Sequence, residues 1–240
     1  LVGTKPVPGM GAIPHAGGVY FRVWAPHAYE VYVTGDFNNW EKKSHRLRHE
    51  ANGYFGGNVP TAKVGEEYRF YLETPTGTYT RNDPYAKQMT HSNGNSVVFD
   101  PQFDWGADEQ FRIANWNELI IYELHVGTFS RSDIDVPGNL FDAMERLDYL
   151  KELGINAVHL MPVTEFPGDL SWGYNPAYPF AVETHYGGPV ALKQFIKMAH
   201  QKGIAVIIDV VYNHFVPSDL DLWQFAGWSQ NDGGGIYFYN

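Results

Sequence analysis

The chain has 240 residues, 44% of them hydrophobic and 16% aromatic, enough to bury more than one core. A formal charge of −10 opposes binding to nucleic-acid phosphates and anionic membrane surfaces. With no cysteine, disulfide frameworks, thiolate catalysis and cysteine-based zinc sites are excluded, and the composition agrees with a reducing, cytoplasmic setting. No apolar run approaches the roughly 18–20 residues of a membrane helix, and Leu1–Pro6 lacks the basic, apolar and small-residue regions of a signal peptide.

From Gly17 to about Asp100 the pattern has period two. Val19, Phe21 and Val23 alternate with Tyr20, Arg22 and Trp24. Val31 and Val33 alternate with Tyr32 and Thr34, and Tyr68, Phe70 and Leu72 with Arg69 and Tyr71. Ala25-Pro26, Gly35-Asp36, Asn52-Gly53 and Pro75-Thr76-Gly77 bound these runs, and Asn-Gly between extended runs is a hairpin signal. Short strands without helical period predict an antiparallel β-sandwich over residues 11–100, with Trp24 in its core. Residues 101–116 read as a linker.

The grammar changes at Asn117. An apolar strand over 119–126 precedes a helix that Asn139 caps, with Leu140, Met144, Leu147, Leu150 and Leu153 on one face and Gly154 as its stop. A second strand over 155–162 precedes a helix with Pro189 in its first turn and Gly203 at its end, and a third strand follows over 204–211. Alternating apolar strands and helices predict parallel strands covered by helices.

Four segments of this second half resemble the α-amylase superfamily in order and spacing: Ile121-Tyr-Glu-Leu-His-Val-Gly-Thr128, Leu160-Met-Pro-Val163, Trp172-Gly-Tyr-Asn175 with Tyr186-Gly-Gly-Pro189, and Asp209-Val-Val-Tyr-Asn-His-Phe215. The first half resembles the glycogen-binding module that precedes the barrel in branching and debranching enzymes, through Phe21-Arg-Val-Trp-Ala-Pro26, Val33-Thr-Gly-Asp-Phe-Asn-Asn-Trp40, Tyr68-Arg-Phe70 and Asp83-Pro-Tyr-Ala86. The implied architecture is a multidomain chain: an all-β antiparallel sandwich, then an incomplete (β/α)8 TIM barrel of three strand–helix units over residues 117–240.

By that resemblance His214 donates to the sugar being cleaved, Asn213 shapes the adjoining loop or binds calcium, Asp209 supports the catalytic region from behind, and Tyr174 stacks on the same sugar. Outside the motif, an isolated Asp or His would read as a satisfied core group, and Tyr174 as a packed loop aromatic. His125 and His159 read as hydrogen-bonded barrel residues, and Glu165 as a solvated loop carboxylate. Trp40 and Arg69 fall where related modules contact glucan, although the Asp36/Trp40 pair can equally close a turn. No histidine pair has zinc-protease spacing, and no cofactor is called for.

Retaining glycosidic chemistry needs two carboxyl groups about 5–5.5 Å apart. The resemblance puts the nucleophilic Asp, the acid Glu and a further Asp after later barrel strands, so they are expected downstream of Asn240. Arg81-Asn-Asp83 and Arg131-Ser-Asp133 have the Arg-x-Asp spacing but follow no barrel strand. The expected activity of the full-length protein is 1,4-α-glucan branching by transglycosylation on glycogen or starch, with this chain alone inactive. Maltooligosyltrehalose trehalohydrolysis is the alternative, favoured by Tyr122–Phe129 and Tyr212–Phe215. A non-catalytic α-glucan-binding protein is the rival of another class.

Overall fold

The computed structural model describes residues 7–131, 133–168, 170–215 and 220–238. They form two compact units, one of residues 7–100 with 220–238, the other of residues 101–215.

The first unit holds eight strands: β1 (Gly11–His15), β2 (Gly18–Trp24), β3 (Glu30–Gly35), β4 (Arg48–His49), β5 (Tyr54–Val59), β6 (Glu67–Thr74), β7 (Gly77–Arg81) and β8 (Ser96–Val97). One antiparallel sheet runs β1-β2-β5-β4; the other runs β3-β6-β7, with β8 also on β6. The period-two residues do what the pattern predicts. Val19, Phe21, Val23, Val31, Val33, Phe70 and Leu72 are buried in one core shared by the two sheets. Asn52 and Gly53 take the left-handed backbone of the turn between β4 and β5. Trp24 is corrected: it is only half-buried at the margin of this core, donating from Nε1 to the Asn52 carbonyl at 3.0 Å.

Residues 220–238, which the sequence groups with the barrel, pack on the sandwich. Phe225 and Ala226 enter its core. Arg81 donates to the carbonyls of Phe225 (3.1 Å) and Gln224 (3.3 Å). Tyr237 donates its hydroxyl to the Trp24 carbonyl at 3.0 Å, and the Trp228 ring stacks on His27.

The second unit contains β9 (Ile121–Leu124), α1 (Val126–Phe129), α2 (Leu140–Met144), α3 (Leu147–Glu152), β10 (Ala157–Leu160), β11 (Thr164–Glu165), β12 (Tyr178–Val182), α4 (Gly188–Gln201) and β13 (Ala205–Ile208). β9 and β13 flank β10 in a three-stranded parallel sheet. Its strands are shorter than predicted: Val126 already starts a helical turn, and the paired strands β10 and β13 end at Leu160 and Ile208. Asn139 caps α2 by accepting from the Phe141 and Asp142 amides. The predicted single helix over 140–153 breaks into α2 and α3. Leu140, Leu147, Leu150 and Phe195 close over Val158 and Leu160 in one core. The 101–116 stretch lies along α4: Lys197 donates to the Asp104 carbonyl, and the Phe111 ring stacks on His200. No helix among the described residues is long and apolar enough to cross a membrane.

Asp83 is fully buried in the sandwich, where it accepts from the Tyr68 hydroxyl (2.6 Å) and the Tyr85 amide (2.8 Å). Burial outweighs these bonds and raises its pKa from 3.8 to about 6. A folded-state pKa above the unfolded value stabilises below the unfolded pKa, and that stability is lost as pH rises through the folded one. The Asp83 contribution, of order 3 kcal/mol, should therefore disappear between about pH 4 and pH 6. Urea unfolding of wild type and Asp83→Asn across pH 4–7 checks this. The difference between them should slope with pH; a flat difference contradicts the assignment.

Candidate functional site

The parallel register sets the rim of the site. Leu160 pairs with Leu124 on one side and Ile208 on the other, so the three strands end level. The next residues stay in the ladder: the Met161 amide donates to the Leu124 carbonyl, and the Asp209 amide to the Leu160 carbonyl, each at 3.0 Å. His125 and Asp209 thus stand at the carboxyl ends of β9 and β13, the end at which (β/α)8 enzymes build their sites.

Tyr174 reaches this rim from the loop between β11 and β12. Its hydroxyl donates to Asp209 Oδ2 at 2.9 Å, joining two of the predicted site residues across 35 positions of chain. The bond to the carboxylate holds the phenol above its ordinary pKa, because ionising it would set two anions side by side. Tyr174 is 40% exposed, so the bond anchors its hydroxyl while part of the residue stays open to solvent.

His125 fastens the same loop. Its Nε2 atom lies 2.9 Å from the Ser171 carbonyl and 3.2 Å from Tyr186 Oη, and its Nδ1 atom lies 3.0 Å from Thr128 Oγ1. A carbonyl only accepts, so Nε2 carries the proton and Nδ1 accepts from Thr128. Ser171 then bonds Asn175, bracketing Tyr174 between anchored residues. Tyr186 is buried, and burial raises its phenol to about 12, which keeps it a neutral hydrogen-bonding partner.

Glu165 and Glu183, the second of which the sequence does not mark, lock the base of this region. Glu165 is buried, not solvated as its loop position implied, and it accepts from the amide and hydroxyl of Thr184. Glu183 is equally buried and accepts from the Phe166 and His185 amides, while burial raises its pKa. The reciprocal bonds staple the two ends of the β11–β12 excursion. A cleft of about 380 Å³ opens beside it, lined among others by Arg131, Ile134, Leu170 and Trp172.

Asn213 and His214 are exposed on the loop after β13, and His214 adopts a left-handed backbone at φ 56°. Among the described residues no group of three or more His, Asp or Glu gathers to hold a metal. His159 lies across from Glu123, with Nδ1 3.4 Å from its carboxylate.

Trp40 and Arg69 are both engaged. Trp40 donates from Nε1 to Asp36 Oδ1 at 3.0 Å, and Asp36 also accepts the Glu67 amide. Arg69 donates to Asn95 Oδ1 and the Gly94 carbonyl, each at 2.6 Å, and lies 3.9 Å from Asp221. Asp221 faces Arg81 at 3.8 Å and accepts the Asn82 amide at 2.6 Å, so Arg69 belongs to the clamp that holds residues 220–238 on the sandwich.

Residues 123–225 match the family model "Alpha amylase, catalytic domain", and residues 9–86 match "Carbohydrate-binding module 48 (Isoamylase N-terminal domain)". The chain belongs to the α-amylase family. It is 34% identical over 200 residues to malto-oligosyltrehalose trehalohydrolase of Saccharolobus solfataricus, covering 83% of this chain and 34% of that protein. It is 36% identical over 228 residues to 1,4-alpha-glucan branching enzyme GlgB of Corynebacterium jeikeium, covering 91% and 31%. The Shewanella baltica branching enzyme is 37% identical over 222 residues, covering 88% and 30%. A crystal structure from Salmonella typhimurium whose protein carries an alpha amylase designation superposes with a TM-score of 0.77 at 32% identity, covering 90% of this chain and 35% of that one. The chain spans about a third of the length of the curated relatives it matches.

Removing the Asp221 carboxylate leaves the Asn82 amide without its acceptor and two guanidinium groups without their counter-charge. Asp221→Ala should lower unfolding free energy by about 2 kcal/mol, and Asp221→Asn, which keeps an acceptor for Asn82, should recover part of it. Urea titration followed by tryptophan fluorescence reads both values.

Proposed function

We propose that this chain supplies the sandwich and the substrate-facing wall of a retaining 1,4-α-glucan branching enzyme. The observation that carries the reading is the Tyr174–Asp209 bond at the carboxyl ends of the parallel strands, which holds a partly exposed aromatic residue at the rim. A pyranose presents C–H groups on its faces and hydroxyls around its edge. A fixed aromatic ring takes the face, and donors such as the His214 imidazole take the edge. Asp209 acts by orienting Tyr174, and Asn213 shapes the loop that carries His214.

The reacting carboxylates are assigned to barrel strands beyond the three described. One attacks the anomeric carbon while the other protonates the leaving oxygen, and the glycosyl-enzyme intermediate then passes to an acceptor. A 6-hydroxyl acceptor yields a branch; water yields hydrolysis. Support for branching comes from the Gly35-Asp-Phe-Asn-Asn-Trp40 motif and from branching-enzyme relatives that align over 88–91% of this chain, sandwich included. Trehalohydrolysis is the second reading, favoured by the trehalohydrolase relative and by the Tyr122–Phe129 and Tyr212–Phe215 strings.

Incubating the whole protein with amylose and reading anomeric proton NMR tests the proposal. New α-1,6 signals without matching reducing ends are expected. Trehalose released from maltooligosyltrehalose would replace branching with the second reading, and glycogen binding without either product would remove the enzyme reading. Within an active protein, Tyr174→Phe should lower kcat/KM about tenfold, since a hydrogen bond to a charged group contributes about 1.5–3 kcal/mol. Tyr174→Ala, which removes the ring as well, should cost more.

A further inference from the structure

We infer that the sandwich carries its own α-glucan contact, in a cleft of about 360 Å³ between the start of β3 and the edge strand β4. The inference rests on the α-glucan reading above and concerns a place distinct from Trp40 and Arg69, whose polar groups are already engaged.

The cleft arises where the chain crosses from one sheet to the other. Tyr32 bridges Arg46, and the Leu47 amide donates to the Val31 carbonyl at 2.8 Å, so residues 46–47 run beside β3 before β4 joins β5. Leu47 and Phe55 form an apolar floor, each 2% exposed. Tyr29 stands on the rim, 67% exposed and with no ring partner among the described residues. Arg48 and His49 project from the exposed edge strand, and neither side chain makes a hydrogen bond within the described residues. The wall is a bidentate pair in which Arg46 Nε and Nη2 donate to the two carboxylate oxygens of Glu30.

These groups favour one ligand chemistry. The exposed Tyr29 ring on the rim suits the C–H face of a pyranose. The Arg48 guanidinium, which bonds no acceptor among the described residues, is a planar fork that can pair with neighbouring hydroxyls, and the cleft lies within the range of about 300–1,000 Å³ usual for small-ligand sites. A phosphate is disfavoured, because Glu30 both neutralises Arg46 and presents its own charge in the wall. A chain of net charge −10 disfavours it further. The fit is to a neutral, polyhydroxylated chain: a segment of α-glucan of about two glucosyl units, held while the barrel works on another part of the same polymer. Such tethering raises the effective concentration of polymer at the barrel without touching the chemistry.

The test is affinity electrophoresis of the whole protein through gels containing glycogen, with turnover of a short soluble maltooligosaccharide measured alongside. Tyr29→Ala should weaken retardation about fivefold, the scale of a lost aromatic contact, with short-substrate turnover unchanged, and Tyr29→Phe should migrate like wild type. Arg48→Ala should weaken retardation in the same direction. If wild type is retarded and both alanine variants are retarded equally, the cleft is overturned and the α-glucan reading stands. If glycogen does not retard wild type, the cleft is overturned, and turnover of amylose then decides the α-glucan reading separately.

Discussion

Everything at the candidate site depends on three parallel strands ending at the same level. The Leu124–Leu160–Ile208 row is the last full rung of the sheet, and backbone bonds from Met161 and Asp209 carry the ladder one residue further. Because parallel pairing fixes both direction and register, it decides that His125 and Asp209 emerge on one rim. A one-residue slip would turn either side chain to the opposite face of the sheet. From that rim His125 grips Ser171, Asp209 grips Tyr174, and a loop of many residues is reduced to one well-placed ring.

The sandwich solves a different problem. Its two sheets bury a core of β-branched and aromatic residues, and part of that core arrives from residues 220–238 through Phe225 and Ala226. Asp221 lies between Arg69 and Arg81, with Arg81 also bonded to the carbonyls of Gln224 and Phe225, so charge and backbone fasten the same segment. Arg69 also donates to Asn95 Oδ1 and the Gly94 carbonyl, which ties this clamp to the loop before β8.

Much of the fold was legible because burial leaves a local signature. The alternation at Val19–Trp24, Val31–Thr34 and Tyr68–Leu72 follows directly from one face of each strand meeting a core. Asn139, Gly154 and Gly203 marked helix ends because capping and left-handed backbone demand particular residue types. What escaped was non-local. Residues 220–238 join the sandwich through a partner 144 positions away, which no window of sequence reveals. Glu165 looked like any loop carboxylate, and only the fold shows it buried against Thr184. At the site, the strings around Tyr174 and Asp209 were readable as separate motifs, whereas the bond that unites them and the His125 anchor behind them were not.

The most direct measurement is a crystal structure of the whole protein soaked with a maltooligosaccharide. The expected result is a glucosyl ring in van der Waals contact with Tyr174, the Tyr174–Asp209 bond intact, and the His214 imidazole within hydrogen-bonding reach of a hydroxyl of that sugar. A glucan bound elsewhere on the barrel rim, with Tyr174 left in solvent or turned away from Asp209, would contradict it.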